Sequence, residues 1–101
     1  MPSPKRLDPS HPGEILLEDF MKPLGISINR LARDLDVPPN RTSAVVNGTR
    51  GITADTALRL ATYFGVSPKA WFRLQVDYDL RVTRQRDGEA IVRSVRARPA
   101  A

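Results

Sequence analysis

The chain has 101 residues, enough for one small domain and too few for two of ordinary size. Sixteen Lys and Arg against eleven Asp and Glu leave a net charge of +5 and a pI near 10.4, a balance that suits a polyanionic partner. Without cysteine there are no disulfides or thiolate metal sites; without a long apolar run or an apolar signal core near the start, a soluble cytoplasmic protein is expected.

Residues 1–10 are rich in proline and charge and read as an irregular lead-in. His11-Pro12-Gly13-Glu14 starts a helix: proline suits the first helical position, and Glu14 sets a negative charge against the positive end of the helix dipole. Leu16, Leu17, Phe20, Met21 and Leu24 recur at helical spacing until Pro23 and Gly25 close the element. Ser27 caps a second helix, on which Ile28, Leu31, Ala32 and Leu35 share a face. Asp36-Val37-Pro38 forms a tight turn with Asp36 left-handed, and Pro38 and Pro39 fix the entry to a third helix of about Pro39 to Val46. Asn47-Gly48 stops that helix, with Gly48 as its left-handed residue.

Thr53 caps a fourth helix, whose Ala57, Leu60, Ala61 and Phe64 form an amphipathic stripe ending at Gly65. Ser67-Pro68 opens a fifth, which carries Trp71, Phe72, Leu74, Val76, Tyr78 and Leu80 in more than one direction. One face suits the core and another a partner subunit, which makes Trp71, Phe72, Val76 and Tyr78 candidate dimer contacts, with Gln75 and Asp79 as polar links. From Arg81 the tail is basic, with six Arg against Asp87 and Glu89. Asp87-Gly88 is a turn signal, and the loose alternation over residues 90–96 suits a short strand, a frayed extension or a disordered tail. The chain thus divides into a lead-in (1–10), a helical domain (11–80) and a basic tail (81–101).

Helices two and three form a helix-turn-helix. The first turn of helix three is polar and basic, whereas Val45 and Val46 face inward, an arrangement that suits a DNA major groove. Arg41 is the leading base reader, able to grip a guanine edge through two parallel hydrogen bonds, and Asn40 can read adenine in the same way or hold a phosphate. Ala44 lies one turn beyond Asn40 at the spacing for a thymine methyl, with Pro38, Pro39 and Ser43 bordering the same surface. Ser27 and Arg30 at the start of helix two, and Thr49 and Arg50 after helix three, are candidate phosphate contacts. The competing reading of each is a cap or a solvated surface charge.

The blocks HPGEIL (11–16), NGTRGIT (47–53), ALRLATYFG (57–65) and SPKAWFRLQVDYDL (67–80) together resemble the HigA (VapI-like) antitoxins of bacterial toxin–antitoxin modules, within the XRE or lambda-repressor-like class. The resemblance spans roughly residues 11–80. It implies an all-α, five-helix fold and a homodimer that binds a palindromic double-stranded DNA operator, represses its own operon and neutralises a RelE-like, ribosome-dependent mRNA interferase. Two positions depart from the general helix-turn-helix pattern: Asp36 stands where glycine is common, and Thr42 where Ile or Val plugs the space between the helices.

His11 stands at a helix start and is expected to cap it or to lie at the surface. No His/Asp/Glu spacing fits a metal and no glycine-rich phosphate loop is present, so neither an enzyme nor a cofactor is expected. Glu14, Glu18 and Asp19 form a solvated face that a basic toxin would suit. Two rival readings remain: a stand-alone regulator without a toxin, and a toxin-binding module with little DNA specificity.

Overall fold

The computed structural model describes residues 10–100. Among them are five helices and no strand. The first, α1, joins an α-helical turn (Pro12–Ile15), a π-helical segment (Leu16–Met21) and a closing turn (Lys22–Leu24). His11 caps it as expected, its Nδ1 accepting the Gly13 N–H at 2.9 Å. The wider π turn brings residues five apart onto one face, which is why Leu16 and Met21 are both fully buried while Leu24 is exposed. Pro23 does not end the helix. It lies inside the closing turn, just after the π segment, whose altered bonding accommodates a residue with no N–H to donate. Gly25, left-handed at φ 65°, terminates α1.

Helices α2 (Ile28–Leu35), α3 (Pro39–Val46), α4 (Ala54–Phe64) and α5 (Pro68–Ser94) follow. Ser27, Thr53 and Ser67 cap α2, α4 and α5 with their side-chain oxygens, Asp36 and Gly48 take the left-handed conformation expected of them, and Gly65, also left-handed, ends α4. The core gathers Leu16, Met21, Leu31, Leu35, Val45, Ile52, Leu60 and Trp71. Phe20, Phe64 and Trp71 form a ring cluster, with Phe20 4.8 Å from Trp71 and 5.1 Å from Phe64. Gly13 sets how closely α1 approaches the end of α3: a Cβ there would collide with the Val45 carbonyl oxygen.

The C-terminal region departs from expectation. Residues 81–94 continue α5 without a break, and no strand forms over residues 90–96. Gly88 sits within the helix instead of turning the chain. A glycine inside a helix costs about 1 kcal/mol, which flanking helix formers such as Arg84, Gln85, Arg86, Glu89 and Ala90 offset. The boundary expected at residue 81 therefore falls inside α5, and the lead-in at 1–9 lies outside the described residues. A 27-residue helix is about 40 Å long, and the described residues extend over 51 × 34 × 23 Å. No described helix is long and apolar enough to cross a membrane.

Thr42 occupies the inter-helix plug and is buried, but its hydroxyl finds no hydrogen-bond partner among the described residues. A buried hydroxyl without a partner is unfavourable, so Thr42→Val should raise the stability by about 1 kcal/mol, read as a higher urea midpoint with an unchanged slope. A lower midpoint would mean that the hydroxyl is satisfied in solution.

Candidate nucleic-acid interface

The α2–turn–α3 unit is built by local chemistry. Ser27 Oγ accepts the Arg30 N–H at 3.1 Å, which leaves its own proton available to an acceptor outside the chain. The turn closes when the Asp36 N–H donates to the Arg33 carbonyl and the Val37 N–H to the Ala32 carbonyl. Pro38 then enters α3 in an extended conformation, and Pro39 takes the first helical position.

Pro38, Pro39 and Asn40 project to solvent at the head of α3, beside exposed Ser27, Asn29 and Arg30 on α2. Ser27, Ile28, Asn29, Pro39, Asn40 and Ser43 line a shallow groove between the two helix starts. Asn29 was not singled out from sequence. Its signal was indirect: with Ile28, Leu31, Ala32 and Leu35 facing inward, position 29 has to face away. Ser43 and Ala44 are half-buried at the edge of the groove face, and Ser43 Oγ accepts from Asn47 Nδ2 at 3.2 Å.

Arg41 is placed differently from its expected role. Its guanidinium turns toward α4, donating to Asp55 Oδ1 at 2.7 Å and Thr56 Oγ1 at 3.0 Å, and its side chain is only 23% exposed. Arg59 shares the same carboxylate, with Nε 2.7 Å from Asp55 Oδ1, and its Nη1 donates to the Leu35 carbonyl at 2.8 Å and the Asp36 carbonyl at 3.3 Å. One carboxylate thus buckles the end of α2, the turn, α3 and α4 together. Hydrogen bonds from Arg59 and then Arg41 hold the Asp55 carboxyl below its ordinary range. The reason Arg41 leaves the outer face is geometric: successive residues of a helix point about 100° apart, so the position after outward Asn40 turns toward α4.

Arg30 remains largely exposed, with Nε 3.6 Å from Asp34, whose carboxylate accepts the Tyr63 hydroxyl at 2.9 Å. After α3, the Ala44 carbonyl accepts from the Thr49 N–H, the Arg50 N–H and the Thr49 hydroxyl. Both Thr49 donors are therefore spent within the chain, and Arg50 is the exposed charge of this loop. On α1, Glu18 pairs with Lys22 at 2.8 Å.

The six candidate dimer residues separate. Trp71 is buried in the core, and Gln75 is buried with its Oε1 accepting the Ile52 N–H at 2.8 Å, so neither is available to a partner. Phe72, Val76 and Asp79 stay on the outer side of α5. Tyr78 sits at the rim, edge-on to the His11 ring with centroids 4.9 Å apart. Burial pushes the His11 imidazole below its ordinary range, partly countered by the Asp79 charge.

A helix-turn-helix family matches residues 17–71. Virulence-associated protein I of Dichelobacter nodosus is 51% identical over 75 residues, which cover 74% of this chain and 69% of that protein. Among solved structures, a HigA-family addiction module antidote protein from Coxiella burnetii superposes with a TM-score of 0.85 at 44% identity, over 91% of this chain and 100% of that one. Pseudomonas aeruginosa antitoxin HigA, solved with the higBA promoter, gives 0.84 at 39% identity, over 87% and 96%.

The buckle makes a pH-dependent prediction. Because the folded carboxyl is held below its unfolded pKa of about 3.9, its contribution is full above that pH and is lost as the pH falls through the folded value. Thermal melts should therefore place Asp55→Asn below wild type near neutral pH, with the gap closing below about pH 4. A gap that persists at low pH would remove the ion pair as its cause.

Proposed function

The chain belongs to the HigA family of helix-turn-helix antitoxins, and from that premise we propose that it binds a palindromic operator as a homodimer, represses its own operon and neutralises a RelE-like mRNA-cleaving toxin in the cytoplasm. The observation that carries the DNA half of this reading is the exposed head of α3. Asn40 is presented between Pro39 and the start of α2, while the inner face of α3 is committed to the core and the buckle. A side chain with one donor and one acceptor at its tip, on the first turn of such a helix, matches the edge of adenine.

Asn40 is the proposed reader, with Ala44 and Ser43 at the groove edge and Pro38 and Pro39 shaping the approach. Ser27 and Arg30 hold phosphate at the start of α2, where unpaired backbone N–H groups add to the attraction, and Arg50 holds phosphate beyond the other end of α3. Arg41 acts behind the surface through Asp55. The Pseudomonas antitoxin solved with its promoter lends support to DNA as the partner. For the dimer, the outer face of α5 presents Phe72, Val76 and Leu80 to solvent, an apolar series that a second copy would cover. A two-fold dimer sets its recognition helices about 34 Å apart, which is why the proposed operator is an inverted repeat.

Gel shifts on a duplex selected by the wild-type protein and on an unrelated duplex test the division of roles. Asn40→Ala should reduce the discrimination between them by about 1–3 kcal/mol with thermal stability unchanged. Arg41→Ala should lower the melting midpoint and leave the discrimination largely in place. If Arg41→Ala instead abolishes the sequence preference in a stable protein, Arg41 leaves the buckle to read DNA. For the toxin half, co-expression with the neighbouring reading frame should yield a co-purifying complex that relieves growth arrest. Free passage of the two products through separate fractions, with arrest intact, would refute it.

A further inference from the structure

We propose that Gln75 is a positioning residue for DNA binding. From inside α5, it holds the loop over residues 47–53 in the conformation that presents Arg50. The inference rests on the phosphate role proposed for Arg50 above.

Gln75 is a buried amide on the loop-facing side of α5, with 8% of its surface exposed. Its Oε1 accepts the buried Ile52 N–H at 2.8 Å, and its Nε2 donates to Asp79 Oδ1 at 3.0 Å. The Asp79 carboxylate can only accept, so it fixes which end of the amide faces the loop. The loop is shaped to receive this group. A Cβ on Gly51 would stand 3.2 Å from Gln75 Cδ, closer than the amide tolerates without moving. Ile52 is itself buried, so an N–H left unpaired there would be costly.

The loop has two further anchors. The Ala44 carbonyl gathers the Thr49 and Arg50 N–H groups, and Thr53 caps α4. Gln75 supplies the anchor on the far side of Arg50, two residues along. Arg50 is thereby bracketed by the end of α3 on one side and by α5 on the other. An apolar residue at position 75 would fill the same space, but it would leave the loop free to rearrange. The amide orders the loop before DNA arrives, so that binding does not bear the entropy of ordering it.

The test measures affinity across a salt series for a duplex selected by the wild-type chain from a random-sequence pool. Arg50→Ala should weaken binding roughly five- to tenfold and reduce the salt slope by about two ions, one for each copy of the proposed dimer. Gln75→Met, which keeps bulk but loses the acceptor, should weaken binding and flatten the slope in the same way. Introduced on top of Arg50→Ala, it should cost less than about twofold more. Gln75→Glu combined with Asp79→Asn restores an acceptor for Ile52 and a donor beside it, and should return affinity to within about twofold of wild type. Gly51→Ala, which displaces the amide from the loop side without altering α5, should behave as Gln75→Met does and carries the test if that variant does not fold.

Losses that multiply in the Gln75→Met/Arg50→Ala chain, or a Gln75→Met slope equal to wild type, would overturn the positioning role while leaving the DNA reading intact. An Arg50→Ala slope equal to wild type would instead overturn the phosphate role of the loop and this inference with it. Failure of the wild-type chain to select any duplex would remove the DNA reading itself.

Discussion

The Asp55 carboxylate is the contact on which the geometry of the helix-turn-helix depends. Helices α2 and α3 have eight residues each, too short to persist alone, and the apolar contacts beneath them are not directional. Packing of Leu31, Leu35, Val45 and Val46 sets how the two helices lie, and a polar contact adds direction to it. Asp55 supplies direction: it takes Arg41 from α3 and Arg59 from its own helix, and Arg59 reaches on to the last carbonyls of α2 and the turn. At the opposite end of the unit, Gly13 admits the start of α1 against the Val45 carbonyl. The recognition helix is thus fixed by one polar and one steric constraint, neither of which uses its outer face.

Features settled within a few residues were legible in the sequence. The caps at His11, Ser27, Thr53 and Ser67, the left-handed positions at Asp36 and Gly48, and the helix stop at Gly65 depend on local backbone chemistry and stand where that chemistry put them. Features that depend on a distant partner were not. Arg41 reads locally as an exposed cation on a polar helix turn; only the fold brings Asp55, fourteen positions on, within 2.7 Å. Asp55 and Arg59 are spaced as a helical ion pair, but nothing local says that a third group shares the carboxylate. Trp71 and Gln75 show the same limit. Aromatic and amide side chains on α5 suit a core or an interface equally well, and their burial is decided by where α4 and the loop after α3 come to lie. Over residues 90–96, a short alternation was compatible with two periods, and helix propensity on either side decided between them.

In the proposed DNA complex these placements would leave specificity to few atoms. With Arg41 held inward and both Thr49 donors turned to the Ala44 carbonyl, the groove face offers Asn40 as its main bidentate group, flanked by prolines that donate nothing. As the proposed dimer, a surface with so little direct readout would gain discrimination from what positions it: the spacing between two copies and the energy of shaping the duplex to fit both. That places weight on the rigidity of each copy, since a reader that can swing accepts more than one base edge. The buckle and the Gln75 amide are the two polar devices that supply it, one behind α3 and one behind the loop that follows.

Helix α5 connects this rigidity to the rest of the molecule. Its inner stripe, Trp71 and Gln75 with Tyr78 at the rim, belongs to the domain, whereas Phe72, Val76 and Leu80 face solvent and Ile91 and Val92 continue an apolar surface along the projecting half. Asp79 lies between the two sides: it is exposed, yet it orients the buried amide that pairs with Ile52. A subunit or other protein seated against Phe72 and Val76 would border Asp79 directly. A contact that drew its carboxylate away would cost the Gln75 Nε2 its acceptor and leave the Ile52 N–H as the group that orients the amide. Two consecutive hydrogen bonds, Asp79 to Gln75 and Gln75 to Ile52, thus link the outer side of α5 to the loop that carries Arg50.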